Sequence, residues 1–270
     1  MPIRLIALDV DDTLLNSKGE LLPSTITAVK TAIAQGIKVV LCTGRPLVGV
    51  AHFLQQLGIS GDDQYVITYN GAVIESVAGK VIAKHLVENS YYRKMTEFGQ
   101  QHQIPFNVLD EDGTIYTADH NVNAITVVQA WENSAGILIR KPEELPANFQ
   151  IAKGLFVGDE KLLDNIQPLV TKTFGDELSV IRAAKPFLEL MHPGVNKGQA
   201  LKKLASILKL DANDVMVAGD EGNDIAMFDY AGTAVAMGNG SDLAKSHANF
   251  VTGTNDDGGL ANAIKKFALV

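Results

Sequence analysis

Acidic side chains crowd the end of an apolar run near the N-terminus. In RLIALDVDDTLL, Asp9, Asp11 and Asp12 follow Leu5–Leu8. Carboxylates held together away from water persist only if one is protonated or a cation stands between them. Side chains alternate along an extended segment. Asp9 and Asp11 are therefore expected to point into one site while Val10 turns to the core and Asp12 faces away. Other polar clusters follow similar runs: Thr43, Gly44 and Arg45 follow KVVLC, and Asp220, Asn223 and Asp224 lie in GDEGND after DVMVA. Lys197, in NKG, opens a helical pattern. An all-oxygen ligand set without a His or Cys cluster favours a hard cation, and Mg²⁺ is the expected ion. A hydroxyl and backbone N–H groups at a strand-to-helix turn suit an anion. Lys197 adds a point positive charge that a phosphate could meet.

Each cluster alone has a plainer reading. DVDDT could be a solvated loop or a helix start, GDEGND a turn, Thr43 a helix cap and Lys197 a surface lysine. An EF-hand is excluded, because the later ligands and closing Glu of that loop are missing. The six histidines have no metal-ligand spacing. Tyr91 and Tyr92 read first as packing residues, and Trp131 as core or interface.

The elements that position these residues decide between the readings. Arg4–Val10, IKVVLCTG and YVITYNG read as buried strands, separated by helices over PSTITAVKTAIAQG and PLVGVAHFLQQLG. The last third resumes the alternation. KGQALKKLASILKL, NDIAMFDYAG, SDLAKSHA and GGLANAIKKFAL are expected helices, with DVMVAGD and TAVAMG as strands. Such alternation predicts an α/β fold with a parallel sheet. Asp9, Thr43 and Asp220 then all fall at carboxyl ends of strands, the edge along which open α/β sheets bind ligands. Residues 84–188 differ. Strands such as IPFNVLD, TIYTAD and SVIRAAKPFLEL are amphipathic, and helices over SYYRKMTEFGQQHQ and EKLLDNIQPLVTKTF are interspersed. They predict an α+β insertion between core segments 1–83 and 189–270.

Composition narrows the function. The net charge of −8 argues against a broad polyanion-binding surface, so no nucleic-acid partner is expected. Cys42 is the only cysteine, so an internal disulfide is impossible. No apolar run reaches bilayer length, and no N-terminal apolar stretch carries a cleavage site. A cytoplasmic protein without a membrane partner is expected.

Taken in order, DVDDT, the Thr of TGR, the Lys of NKG and GDEGND resemble the four motifs of the haloacid dehalogenase (HAD) superfamily of phosphatases. ITYNGA and the large insertion resemble its Cof-type branch, with an α/β cap. The resemblance implies a Rossmann-like core and a cap that selects the substrate. It implies Mg²⁺-dependent hydrolysis of small phosphorylated metabolites, sugar phosphates above all, through an aspartyl-phosphate. Asp9 would be the nucleophile and Asp11 the general acid, then base. Asp9, Asp11 through its carbonyl, and Asp220 would hold the metal, and Asp224 would bind it through water or orient Lys197. Thr43 and Lys197 would hold phosphoryl oxygens, and Asn223 would position the phosphate or Lys197. Gly44, Arg45 and Asn70 are further candidate substrate contacts. Asp12 departs from the family, which often has Gly there, and a modest change in turn geometry is expected. A mutase-type transfer between sugar hydroxyls and a non-catalytic phosphometabolite-binding module are the alternatives. A monomer or homodimer is expected.

Overall fold

The computed structural model describes residues 2–269. Its chain divides into two compact units: Met1–Gly44, Ala51–Ala83 and Asn196–Val270 form one, and Arg45–Val50 with Lys84–Val195 the other. The chain returns to the first unit at 195/196 rather than at 189, because Phe187–Met191 is a strand of the second unit's sheet.

The first unit begins with β1 (Leu5–Leu8), α1 (Pro23–Ala34), β2 (Lys38–Cys42), α2 (Leu47–Leu57, whose first residues as far as Val50 group with the second unit), β3 (Tyr65–Thr68), β4 (Val73–Ser76) and β5 (Val81–Lys84). The second unit comprises β6 (Val87–Glu88), α3 (Asn89–His102), β7 (Phe106–Leu109), β8 (Ile115–Thr117), α4 (Ala124–Glu132), β9 (Ile137–Ile139), β10 (Gln150–Ile151), β11 (Lys153–Val157), α5 (Glu160–Phe174), β12 (Ser179–Ala184) and β13 (Phe187–Met191). The first unit resumes with α6 (Lys197–Ile207), β14 (Val215–Gly219), α7 (Ile225–Phe228), β15 (Thr233–Ala236), α8 (Asp242–His247), β16 (Phe250–Val251) and α9 (Gly259–Phe267).

The first unit's sheet has the order β16-β15-β14-β1-β2-β3-β4-β5. It is parallel from β16 to β3. The apolar runs of β1, β2 and β14 suit burial on both faces. On one face Leu5, Ala7, Val40, Cys42, Val215 and Val217 pack with Leu201 and Leu204 of α6 and with Met227 and Phe228. Full burial of one such Val, Leu, Ile, Phe or Met contributes about 1.5–3 kcal/mol, which makes this layer a firm platform. Two expectations need correction here. YVITYNG does not continue as a strand: after Thr68 the chain turns through Tyr69–Gly71, and β4 returns antiparallel to β3. The helix over NDIAMFDYAG is short, since Gly222–Asp224 form a separate tight turn.

In the second unit the order is β12-β13-β11-β7-β8-β9, with β6 and β10 as a separate pair. SVIRAAKPFLEL is a hairpin, β12 against β13, rather than one strand. One sheet face carries Phe106, Val108, Phe156, Leu188 and Leu190, packed with Phe98 of α3 and with Leu163, Val170 and Phe174 of α5. The other face is more polar: Lys153 and Glu189 form a buried ion pair, and Asn107 donates to Thr126 and Gln129 of α4. Tyr92 is a packing residue whose hydroxyl donates to the Arg140 carbonyl. Trp131 is not core; it is 82% exposed.

Candidate active site

Strand order brings distant acids together. From β1 the chain builds β2 and β3 on one side, and later β14, β15 and β16 on the other. The reversal of order at β1 opens a crevice at the carboxyl ends of β1 and β14. Asp9 leaves β1 there, its N–H donating to the Ala218 carbonyl at 3.0 Å. Asp220 leaves β14 beside it, and Thr13 Oγ1 donates to Asp220 Oδ1 at 2.9 Å.

Lys197 is the first residue of α6, after Asn196, whose side chain accepts the Gln199 N–H and caps the helix. Its side chain is fully buried. Nζ donates to Asp9 Oδ1 at 2.6 Å and to Asp224 Oδ1 at 2.7 Å. The next residue must be small: a Cβ on Gly198 would lie 2.0 Å from the Ala226 carbonyl oxygen. Asp224 Oδ2 accepts the N–H groups of Asp220 at 2.9 Å and Glu221 at 3.1 Å. One carboxylate thus ties the lysine to the loop that carries Asp220. Of the two roles expected of Asp224, orienting Lys197 is the one with a direct contact.

Asp9, Asp220 and Asp224 each offer an oxygen within 4.8 Å of the others, and all three are buried. Burial pushes the Asp9 carboxyl well above its ordinary range; Lys197 opposes the shift, while Asp224 and Asp220 add to it. Asp220 is pushed up to about 7, by burial first and then by Asp224, against the Thr13 bond and Lys197. Burial disfavours the charge on Lys197, yet its two carboxylate partners outweigh this and raise its pKa. Three acids around one lysine are short of positive charge. The donor chemistry fits a hard divalent cation, since every ligand offered is a carboxylate oxygen.

The remaining candidates sort into two groups. Residues Val10–Leu14 form a single wide turn, with Val10 buried and Asp11 and Asp12 exposed. The Asp11 carboxylate is not one of the three mutually close groups. Asp12 adopts the left-handed conformation, φ 58°, which glycine takes up without steric cost. Thr43 is buried; its N–H donates to the Ile67 carbonyl and its own carbonyl accepts the Asn70 N–H at 2.8 Å. Tyr69, Asn70 and Gly71 all have positive φ, 51°, 54° and 104°. Backbone strain of this kind concentrates at functional sites. Asn223 Nδ2 donates to Asn70 Oδ1 at 3.2 Å, and a Cβ on Gly44 would lie 3.2 Å from Asn70 Nδ2. Thr43, Gly44, Asn70 and Asn223 therefore form one cluster. Arg45 belongs to the second unit, where its Nη1 donates to the Glu132 carbonyl at 3.4 Å.

Sequence reading did not single out Thr13, Asn239 or Ser241. Asn239 Nδ2 donates to the Asp12 carbonyl at 2.8 Å, and the Ser241 N–H donates to the Asp220 carbonyl at 2.9 Å. Thr13 alone had a signal, as the last letter of DVDDT.

The haloacid dehalogenase-like hydrolase family matches residues 6–264. The chain belongs to this family. A Streptococcus pyogenes serotype M6 protein provisionally named a phosphatase is 34% identical, across all of both chains. The Bacillus subtilis 5-amino-6-(5-phospho-D-ribitylamino)uracil phosphatase YcsE is 28% identical over 99% of this chain and 96% of its own. A crystal structure of a haloacid dehalogenase-like hydrolase from Bacteroides thetaiotaomicron superimposes with a TM-score of 0.88 at 27% identity, covering 98% of this chain and 99% of that one. The chain is thus an enzyme of a hydrolase family, and several of its curated relatives, these two among them, carry phosphatase names. Among the described residues, no helix is long and apolar enough to cross a membrane.

Proposed function

We propose that this hydrolase is a Mg²⁺-dependent phosphatase acting on small phosphate monoesters, with sugar and polyol phosphates as the substrate class. The observation that carries the reading is the meeting of Asp9 with Lys197 inside the buried group formed with Asp220 and Asp224. A structural strand end has no use for a nucleophilic carboxylate, a buried lysine and two more acids in one place. The relative named for a phosphorylated ribityl group supports the substrate class.

Asp9, Asp220 and the carbonyl of Asp11 would hold the metal, with Asp224 behind them. When bound, the cation offsets the repulsion between the Asp9 carboxylate and a phosphate dianion. The Asp9 carboxylate attacks phosphorus, and the ester P–O bond breaks in line with it. Asp11 gives its proton to the departing alkoxide. Water then attacks the aspartyl-phosphate, passing a proton to Asp11, and inorganic phosphate and free Asp9 result. Thr43 and Lys197 hold the equatorial oxygens as charge spreads over them. Asn70 and Asn223 brace the Thr43 turn.

Phosphate release from a generic ester and from a panel of phosphorylated sugars and polyols, with and without Mg²⁺, tests the reading. Asp9→Asn is expected to lower turnover by at least ~10³-fold, as loss of a nucleophile does. Activity that survives Asp9→Asn or complete metal removal contradicts the mechanism. An isomeric sugar phosphate in place of free phosphate contradicts hydrolysis.

A further inference from the structure

Helix α4 of the second unit is inside out. A helix lying on a sheet normally buries its apolar stripe and offers polar residues to water. Here the buried side holds Thr126, Gln129 and Asn133 beside Ala130, with Thr126 and Gln129 accepting the Asn107 amide. The opposite side offers Ala124, Val127, Val128 and Trp131, the spacing of one helical face. Val127 is 50%, Val128 52% and Trp131 82% exposed. This tryptophan is the only one in the chain. The strand that follows, β9, is the outermost of its sheet and leaves a backbone edge open to pairing. Scattered exposed apolar residues need no explanation, but an ordered apolar face around the sole tryptophan does.

We infer that this α4 face is the contact surface of a symmetric homodimer. The bulky residue of this face, Trp131, stands at one end and its smallest, Ala124, at the other. Two copies of α4 packed antiparallel about a two-fold axis set each Trp131 over the other copy's Ala124, with the valines meeting between. The face also suits a chain of net charge −8, because α4 carries no basic residue and Glu132 is its single acid. In the antiparallel pair Glu132 lies at the positive N-terminal end of the opposite helix.

Area sets the strength. With ~150–250 Å² available from a tryptophan, the four side chains offer roughly 350 Å² per copy. Two copies bury roughly 700 Å², below the ~1,000 Å² that marks a stable specific interface and in the range of weak, transient contacts. The dimer is therefore weak and concentration-dependent.

The test is light scattering and tryptophan emission on the whole protein from about 1 to about 300 μM. The expected result is a mass that rises from 28.9 kDa towards twice that value, with a blue shift of emission over the same range as Trp131 leaves water. Val128→Glu places like charges across the two-fold and is expected to weaken both changes at least tenfold, with thermal unfolding unaltered. A mass of 28.9 kDa and constant emission throughout overturn the inference. So does a Val128→Glu protein that dimerises like the parent, which assigns the contact to another face. So does an emission shift caused by a sugar phosphate while the mass stays monomeric, which assigns the face to a small molecule.

Discussion

Replacing Lys197 by Met removes a charge and little else. The two side chains are similar in length and the site is fully buried, so no cavity opens. What disappears is a cation 2.6 Å from Asp9 and 2.7 Å from Asp224. At an effective dielectric constant near 20, each contact carries roughly 6 kcal/mol of gross attraction, before the cost of stripping water from the ions. That cost is several kcal/mol per ion, so the intact cluster contributes little net stability. Removing one partner is different, because the desolvated acids stay behind; the expected loss is about 3–5 kcal/mol. Against a typical total of ~5–15 kcal/mol, the variant still folds. The loss must depend on pH. Asp9 already has a folded pKa raised above its ordinary value, and loss of Lys197 raises it further. A carboxyl with a raised folded pKa favours the folded state when protonated, and that benefit fades as pH climbs through the folded value. Urea titrations of the metal-free protein should therefore show a smaller deficit near about pH 5 than near about pH 7.5. Adding Asp224→Asn should recover part of the deficit, since the two residues are in contact. A loss below about 1 kcal/mol, or one indifferent to pH, would refute the view that Lys197 neutralises a buried acidic cluster.

Two further outcomes follow from the same turn and cluster. Asp12→Gly relieves a left-handed side chain and removes an acid that repels Asp11 and Asp256; stability should rise by up to about 1 kcal/mol in thermal melts, and a loss of that size contradicts the backbone argument. In the metal-free protein Asp220 holds a proton up to about pH 7, favouring the folded state below that value and ceasing to do so above it. A divalent cation must displace that proton, so the stabilisation by Mg²⁺, read from urea titrations, should be larger at about pH 8 than at about pH 6, by up to ~1.4 kcal/mol per pH unit for each proton released, and equal gains contradict competition at Asp220.

The parts of the molecule that could be read from sequence are those in which local signals and global placement coincide. Asp9 and Asp220 follow apolar runs that can only be doubly buried strands, and parallel order carries their ends to one edge. The Lys197–Asp9 contact spans 188 positions, yet it needed no long-range guess beyond that order and a helix start. Where an outcome depended on which way a side chain faced, sequence was a poor guide: strand alternation put Asp11 in one buried site with Asp9, but Val10–Leu14 is a turn rather than an extended segment and leaves Asp11 exposed. Asp224 could ligate or brace, and only the turn that aims Oδ2 at two amides puts its other oxygen on Lys197. The hairpin after Thr68 did leave a mark, the Asn70–Gly71 pair whose residue types accept positive φ, but the apolar run before it reads on as one strand. Helix α4 was missed because periodicity assumes that apolar residues face inward, whereas here Thr126 and Gln129 do so and accept from the buried Asn107 Nδ2. Strand β11 was missed because Lys153 reads as solvent-facing until Glu189, on a neighbouring strand, makes its burial affordable. Both failures lie in the second unit, and both come from polar groups buried in partnership. A buried polar pair leaves no mark on the hydropathy of either segment, because each half looks like surface until the other is in place.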